Sequence, residues 1–294
     1  MTVLTIGIDG GGTSCRAAVA DRIGNIIGRG KAGPANILSD LENSLANIVE
    51  SARQALRDAG LAAETISAVP AVVGVAGANV GDYGSRIEKA LPFTEGRVVT
   101  DALIALQGAL GDADGVVGAF GTGSVYNARR NGRLNGIGGW GFVVGDQASG
   151  ARLGRDLLER SLLAHDRVHA ASPLTEKVMA EYGGDPERIV EFAHSARPKD
   201  FARYAPVVFE YAAKSDSVAV SIVRDAVAAI GESFEALLWP ECPSICVLGG
   251  LAGAYEPWLS DRYRSLLAKP KGDALQGAVE LAVKLLSDRQ KGAA

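Results

Sequence analysis

Asp9-Gly10-Gly11-Gly12-Thr13 decides the fold of this chain, because it joins two apolar runs through a turn that is mostly glycine. Residues 3–8 before it and 17–20 after it are apolar enough to be buried strands. The same order returns later, where residues 116–120 lead into Gly121-Thr122-Gly123-Ser124 and a further apolar run. A strand, a glycine turn with a hydroxyl residue and a second strand therefore occur twice, which favours the hypothesis of a duplicated fold.

The rest of the chain alternates between strand and helix patterns. Apolar residues recur at spacings of three and four over 39–59, which predicts a helix capped by Ser39 and closed by Gly60. Strands are predicted at 3–9, 14–20, 25–30, 69–75, 97–100 and 244–248, a hairpin at Asn131-Gly132, and helices at 85–91, 102–110, 151–164, across most of 172–239 and at 273–286. This alternation is typical of an α/β layered fold.

Composition narrows the class of protein. The 294 residues are 47% apolar, which is enough for a substantial core, and the net charge of -4 provides no general basic field for nucleic acid. We found neither a window of about 20 apolar residues nor a charged, cleavable leader. We therefore expect a cytoplasmic protein that binds neither nucleic acid nor membrane.

Cysteine and histidine spacings invite a metal interpretation that the sequence does not complete. Cys242 and Cys246 lack a second pair, so they and Cys15 are expected to be reduced and buried. His165 and His169 are expected on one helix face, with no third ligand evident, which favours a solvated face.

The two glycine turns have the chemistry of a phosphate site. Glycine lets backbone N–H groups approach an anion closely, and a hydroxyl adds a donor. Asp9 stands where a strand ends, and a carboxylate there can hold Mg²⁺ through its waters. The alternative is a tight hairpin with solvated polar residues. The chain has neither a P-loop, nor a dinucleotide-binding glycine pattern, nor a nucleophile elbow.

Further candidate residues follow strands or lie among glycines. Asp101 comes between a predicted strand and a predicted helix, so it is either an N-cap or a general base at the carboxyl end of a strand. Trp140, surrounded by glycines, is either a flat face for a sugar ring or a loop anchor. Asn36 and Asp146 lie in glycine-flanked loops and can hydrogen-bond sugar hydroxyls.

Several pieces, taken in order, resemble the actin-like ATPase superfamily, and more narrowly its N-acetylglucosamine kinase and BadF/BadG/BcrA/BcrD group. The likeness runs from about residue 3 to residue 285. Its pieces are 7–13, 35–37, 100–102, 121–124, 138–141 and 145–150. The resemblance implies two RNase H-like lobes with ATP and Mg²⁺ between them. We expect residues 1–108 with the helix 273–294 to form one lobe, and 109–272 to form the other.

The resemblance also implies roles for individual residues. It places Asp9 near Mg²⁺, Thr13 and Thr122 on the phosphates of ATP, and Gly249 and Gly250 beside the adenosine. The remaining nucleotide-binding residues would be Gly11, Gly12, Gly121, Gly123 and Ser124. The amino sugar would contact Asn36, Asp101, Gly139, Trp140, Gly141, Phe142 and Asp146, with Asp101 as the catalytic base.

The expected activity is ATP-dependent phosphorylation of the 6-hydroxyl of N-acetylglucosamine or glucosamine. Gln147 stands where many relatives carry glutamate, which puts any role of that position in catalysis or in binding a cationic substrate in doubt. The alternatives are an ATPase that drives a protein partner, a kinase of another hexose, and a sugar-sensing regulator. The sequence leaves open whether the sugar is acetylated and whether the protein is a homodimer.

Overall fold

The computed structural model describes residues 3–292, with side chains described to residue 288. The strands in this part of the chain are β1 (Leu4–Gly10), β2 (Cys15–Asp21), β3 (Ile26–Ala32), β4 (Ala71–Val75), β5 (Gly96–Thr100), β6 (Gly115–Phe120), β7 (Ser124–Arg130), β8 (Arg133–Gly138) and β9 (Ile245–Leu248). All six predicted strand segments and the predicted hairpin are present, so these predictions are confirmed to within two residues at most boundaries.

Helices fill most of the intervening sequence. They are α1 (Leu41–Asp58), α2 (Tyr83–Ala90), α3 (Asp101–Leu110), α4 (Gly150–His165), α5 (Pro173–Glu181), α6 (Pro186–Ser195), α7 (Pro198–Ala202), α8 (Ala205–Ala213), α9 (Ser217–Leu237), α10 (Ala252–Tyr255), α11 (Asp261–Arg264) and α12 (Ala274–Gly292). Within the described residues, none of these helices combines the length and apolarity needed to cross a lipid bilayer.

The chain divides into two compact units. The first comprises residues 1–113 and 269–294, and the second comprises residues 114–268. The first unit holds a five-stranded sheet in the order β3-β2-β1-β4-β5, in which β1, β4 and β5 are parallel. The carboxyl ends of those three strands therefore meet at one edge of the sheet.

Helices cover both faces of the first sheet. Alternate residues of β1, such as Ile6 and Ile8, face the core built with α1 and α2. On the opposite face α12 packs so closely that a Cβ on Gly7 would lie 2.4 Å from the backbone nitrogen of Val279. Residue 7 therefore has to be glycine for the last helix to seat on β1.

The second unit holds a four-stranded sheet in the order β8-β7-β6-β9, with β9 parallel to β6. Its core centres on Phe120, Tyr126, Phe234 and Tyr255, whose rings meet edge to face. Both sheets thus contain three consecutive antiparallel strands with a parallel strand beside the first of them. This shared order supports the duplication that the sequence suggested.

Two local predictions were wrong. Helix α1 is capped by Asp40 and not by Ser39, because the Asp40 carboxylate accepts the N–H of Asn43 at 3.0 Å. Helix α4 ends at His165, so His169 lies beyond it and the two histidines do not share a helix face. Cys15, Cys242 and Cys246 are all buried, as expected.

Candidate functional site

In the first unit, the turn after β1 is exposed at Gly12 and Thr13. Gly12 and Thr13 are exposed, and neither makes a hydrogen bond to another residue of the described chain. The turn is closed instead by Gly11, whose N–H donates to the carbonyl of Ser14 at 3.0 Å. A Cβ built on Gly12 would have no atom of the described residues within 4 Å. The space beside this turn is therefore available to a ligand.

Asp9, immediately before the turn, is part of an ion-pair network that sequence reasoning missed. Its Oδ2 accepts two hydrogen bonds from Arg16, from Nε at 3.2 Å and from Nη2 at 2.6 Å. Nη1 of the same guanidinium donates to Asp273 at 2.9 Å. The sequence contained the information needed to predict this ion pair. Once the turn closes between Gly10 and Cys15, Asp9 and Arg16 are directly opposite each other across the hairpin and carry opposite charges.

Asn36 lies at the same edge of the first sheet. It forms a parallel bridge with Ala76, the residue that follows β4. Its side-chain oxygen accepts the N–H of Leu38 at 3.1 Å, which fixes the orientation of the amide. Asp9, Asn36 and Asp101 therefore all follow or flank the carboxyl ends of parallel strands, where ligands bind in open α/β sheets.

Asp101 is not the N-cap of α3, so the N-cap interpretation was wrong. Thr100 caps the helix by accepting the N–H of Leu103 at 3.1 Å, and Asp101 is the first helical residue. Its carboxylate accepts the neighbouring N–H of Ala102 at 2.9 Å and remains exposed.

Desolvation raises the pKa of Asp101, with a smaller contribution from the negative charge of Asp9. The hydrogen bond from Ala102 opposes that shift. The Asp101 side chain is still in contact with solvent, so its desolvation is partial. Asp101 is therefore an accessible carboxylate that is not the N-cap of α3, and its pKa lies above that of an ordinary aspartate.

The corresponding turn of the second unit, Gly121 to Ser124, is joined to the segments around it. Gly121 and Thr122 accept the first N–H groups of α4, at 2.8 Å from Gly150 and at 3.2 Å from Ala151. The hydroxyl of Ser124 is buried and donates to the carbonyl of Gln147 at 2.6 Å. The Thr122 side chain is exposed. Of the two hydroxyls in this turn, only that of Thr122 faces solvent.

Asp146 links this turn to the glycine-rich loop. Its buried carboxylate accepts the N–H of Gly141 at 3.1 Å and also that of Ser124. A Cβ on Gly123 would lie 2.8 Å from this carboxylate, so glycine is needed there for the close approach. Burial raises the pKa of Asp146, while both hydrogen bonds and the charge of Arg152 oppose the shift. The Asp146 carboxylate is therefore fixed in place by hydrogen bonds to the backbone around it.

The loop that precedes Asp146 exposes its aromatic side chain. Trp140 is 73% exposed, and Gly139 and Gly141 beside it adopt positive φ. Phe142 behaves differently, since its ring lies 4.9 Å from that of Phe201 on α7. Phe142 thus fastens the loop to the helices, whereas Trp140 presents a flat face to solvent.

Gly249 and Gly250 follow β9, which is parallel to β6. Gly249 has φ of +90°, and a Cβ there would lie 2.2 Å from the carbonyl oxygen of Phe120. A Cβ on Gly250, in contrast, would have nothing within 4 Å in the part of the chain that the structure describes. Within the second unit, the exit from β9 therefore runs directly alongside the end of β6, where the glycine turn begins.

Comparison with known proteins agrees with this architecture. The model of the BadF/BadG/BcrA/BcrD ATPase family matches residues 6–282. Over 280 residues the chain is 32% identical to the glucosamine kinase of Vibrio cholerae, a match that covers 95% of each protein.

Solved structures give the fold. A crystal structure from Chromobacterium violaceum, provisionally described as an N-acetylglucosamine kinase, superposes with a TM-score of 0.88 at 32% identity and covers 96% of this chain and 99% of that one. A ROK family glucokinase from Streptomyces griseus, solved with glucose and AMPPNP, gives a TM-score of 0.52 at 19% identity, over 95% and 98% of the two chains. The expected α/β fold with two actin-like lobes is confirmed.

Proposed function

This chain belongs to the BadF/BadG/BcrA/BcrD ATPase family, and we propose that it is an ATP-dependent kinase that phosphorylates the 6-hydroxyl of an amino sugar. The sugar is N-acetylglucosamine or glucosamine, since relatives that match nearly the whole chain are described as kinases of one or the other. The observation that carries the proposal is the position of Asp101. Its exposed carboxylate lies at the carboxyl end of β5, and the N-cap of α3 is Thr100 instead.

Asp101 acts as the general base. It accepts the proton of the 6-hydroxyl as that oxygen forms a bond to the γ-phosphorus of ATP, and ADP leaves with the electrons of the broken P–O bond. The raised pKa of Asp101, caused mainly by desolvation, makes its carboxylate a better proton acceptor than that of an ordinary aspartate. Its accessibility lets a sugar hydroxyl come within hydrogen-bonding distance.

The glycine turns bind the phosphates of ATP. In the first unit this role falls to Gly11, Gly12 and Thr13. Gly12 and Thr13 are exposed and make no hydrogen bond within the described residues, while the N–H of Gly11 closes the turn. In the second unit it falls to the backbone of Gly121, Thr122, Gly123 and Ser124 and to the exposed hydroxyl of Thr122. Gly249 and Gly250 lie against the adenosine, where Gly250 leaves space for it.

A magnesium ion fits beside Asp9. Only Oδ2 of this carboxylate is engaged by Arg16, so Oδ1 is left as a hard oxygen donor next to the turn. Asp9 would hold the ion through water. When bound, Mg²⁺ offsets negative charge on the phosphates of ATP.

Each unit provides residues suited to binding a sugar. Asn36 and Asp101 accept or donate hydrogen bonds to sugar hydroxyls, and Trp140 offers its exposed ring to a sugar face. Gly139, Gly141, Phe142 and Asp146 shape the loop from which Trp140 projects, as their internal contacts support.

The Asp101→Asn variant tests the assignment of the base. An amide cannot accept the hydroxyl proton, so we expect turnover to fall by about 10²-fold or more, while the dissociation constant of the sugar changes by less than about threefold. Steady-state kinetics and sugar titration by calorimetry measure the two quantities. Turnover within about threefold of the wild type would remove Asp101 from this role.

Asp82→Asn is the matched control. It makes the same change in an exposed carboxylate at the start of another helix of the first unit, where the side chain makes no cap bond. We expect it to leave turnover unchanged. In the wild type, turnover should fall as the pH drops through the pKa of Asp101, which lies above its ordinary value, because the protonated acid is no base.

A further inference from the structure

Arg16 is a charged residue that the reaction described above does not use. It lies on β2 directly opposite Asp9 on β1, and its guanidinium makes both bonds to Oδ2 of that carboxylate. Its third contact is Nη1 to Oδ2 of Asp273, at 2.9 Å. One cation thus joins two carboxylates that are remote in sequence.

Asp273 serves two purposes with its two oxygens. Oδ2 accepts the bond from Arg16, while Oδ1 accepts the N–H of Gln276 at 2.9 Å in the first turn of α12. The carboxylate that starts the last helix therefore also fixes the far side of the guanidinium. The chain of contacts runs from α12 through Arg16 to the carboxylate beside the glycine turn.

The position of Asp9 creates an electrostatic problem for a phosphate site. A nucleotide that approaches the turn brings several negative charges close to an aspartate that is itself negative, and like charges at this range repel strongly. Arg16 is the cation that contacts Asp9 among the described residues. Since the Asp9 side chain is only 17% exposed, water screens its charge incompletely.

We propose that Arg16 is a positioning residue that neutralises Asp9 and fixes its orientation, so that the phosphates of a nucleotide can occupy the turn at Gly11 to Thr13. Asp273 holds Arg16 in that arrangement. The inference rests on the proposed function, because it requires the turn to bind a nucleotide. It goes further in assigning a role to two residues outside the candidate site.

If the contacts of Arg16 were purely structural, a different experimental result would be expected. Arg16 and Asp273 are 40% and 55% exposed, and pairs this exposed contribute little to stability. Loss of Arg16 would then change the melting temperature slightly and leave nucleotide binding alone. If Arg16 contacted a phosphate directly, a third result would be expected. The affinity for nucleotide lost in Arg16→Ala would then not be recovered by also removing the charge of Asp9.

The test is a double-mutant cycle on nucleotide affinity, with ADP as the probe in isothermal titration calorimetry. It uses the wild type, Arg16→Ala, Asp9→Asn and the combined variant, each in EDTA so that no metal masks the repulsion. We expect Arg16→Ala to weaken ADP binding by at least about tenfold, because an unpaired carboxylate then faces the phosphates. The combined variant should bind within about threefold of Asp9→Asn.

Two matched variants keep the test independent of folding. Arg16→Lys retains the positive charge but not the planar guanidinium, so it should recover part of the lost affinity. Asp273→Asn retains a side chain that can cap α12 but loses the charge, so we expect ADP affinity to fall by about two- to fivefold with an unchanged melting temperature.

The possible outcomes separate the two claims. Additive effects of Arg16→Ala and Asp9→Asn would overturn the inference and leave the nucleotide site intact, as would an Arg16→Ala variant that binds ADP like the wild type. A wild-type protein that binds no ADP, with or without Mg²⁺, would overturn the proposed function and the inference with it.

Discussion

The two glycine turns have nearly the same sequence pattern but different surroundings. In the first unit the turn from Gly10 to Thr13 is open, and the carboxylate before it is paired with Arg16. In the second unit the turn from Gly121 to Ser124 is bonded to α4 and to the loop that contains Asp146. The residue that precedes the glycine turn there is Phe120, a buried ring of the core.

The difference shows that one local pattern can serve two purposes in one molecule. An apolar strand that ends in glycines creates close backbone approach in both places. At Gly12 in the first unit the space that glycine leaves holds no atom of the described residues, whereas at Gly123 in the second unit it is filled by the Asp146 carboxylate. Substitutions should therefore separate glycines that the fold needs from those that a ligand needs.

The largest effect is expected at Gly249, a glycine that the fold needs. Gly249→Ala would place a Cβ 2.2 Å from the carbonyl oxygen of Phe120, at a positive φ that alanine rarely adopts. We expect the free energy of unfolding to fall by about 3 kcal/mol or more, measured by denaturant titration. Gly250→Ala is the control, since its Cβ meets nothing and should cost less than about 1 kcal/mol. Equal losses in the two variants would show that the contact with Phe120 is unimportant.

Gly12 is the opposite case, a glycine that the fold does not need. Gly12→Ala adds a methyl group where no atom of residues 3–292 lies within 4 Å and where φ is not positive, so the unfolding free energy should change by less than about 0.5 kcal/mol. If phosphates occupy that space, ADP affinity should fall by about tenfold or more. Calorimetric titration with ADP decides the matter, and unchanged affinity would show that this turn does not bind the nucleotide.

The two hydroxyls give the smallest effects and the sharpest contrast. Ser124→Ala removes the buried donor to the carbonyl of Gln147, and we expect a loss of about 1 kcal/mol of stability. Thr13→Ala removes a hydroxyl with no partner in the described chain, so stability should hold while ADP affinity falls by about two- to tenfold. Thermal melts and ADP titrations of both variants test the contrast. A destabilised Thr13→Ala variant would contradict it.

Much of the fold was predictable because the sequence patterns are local. Strand and helix positions followed from apolar periodicity, and the hairpin at Asn131 and Gly132 followed from two residues that tolerate positive φ. The position of Asp101 at the carboxyl end of a strand followed from the strand predicted before it, and ligands bind at such ends in α/β sheets. Each of these inferences needs only near neighbours in the sequence or a general rule of sheet topology.

The sequence did not determine which of two equally suitable residues caps a helix, or which residues distant in sequence come into contact. Ser39 and Asp40 are both good caps, and Thr100 and Asp101 compete in the same way, so the local backbone geometry decided each case. The burial of Asp146 depends on a loop folding back against Gly123, which no local pattern encodes. The bond between Arg16 and Asp273 joins residues at opposite ends of the chain.

The most direct test of the proposed function is ADP release from the purified wild-type protein with ATP and Mg²⁺, in the presence of individual hexoses and hexosamines. We predict release that depends on N-acetylglucosamine or glucosamine, with phosphorus NMR locating the new phosphate on the 6-oxygen. The preferred amino sugar should exceed glucose by at least about tenfold in kcat/KM. ADP release at the same rate without any sugar would contradict the account and favour an ATPase that acts on another partner.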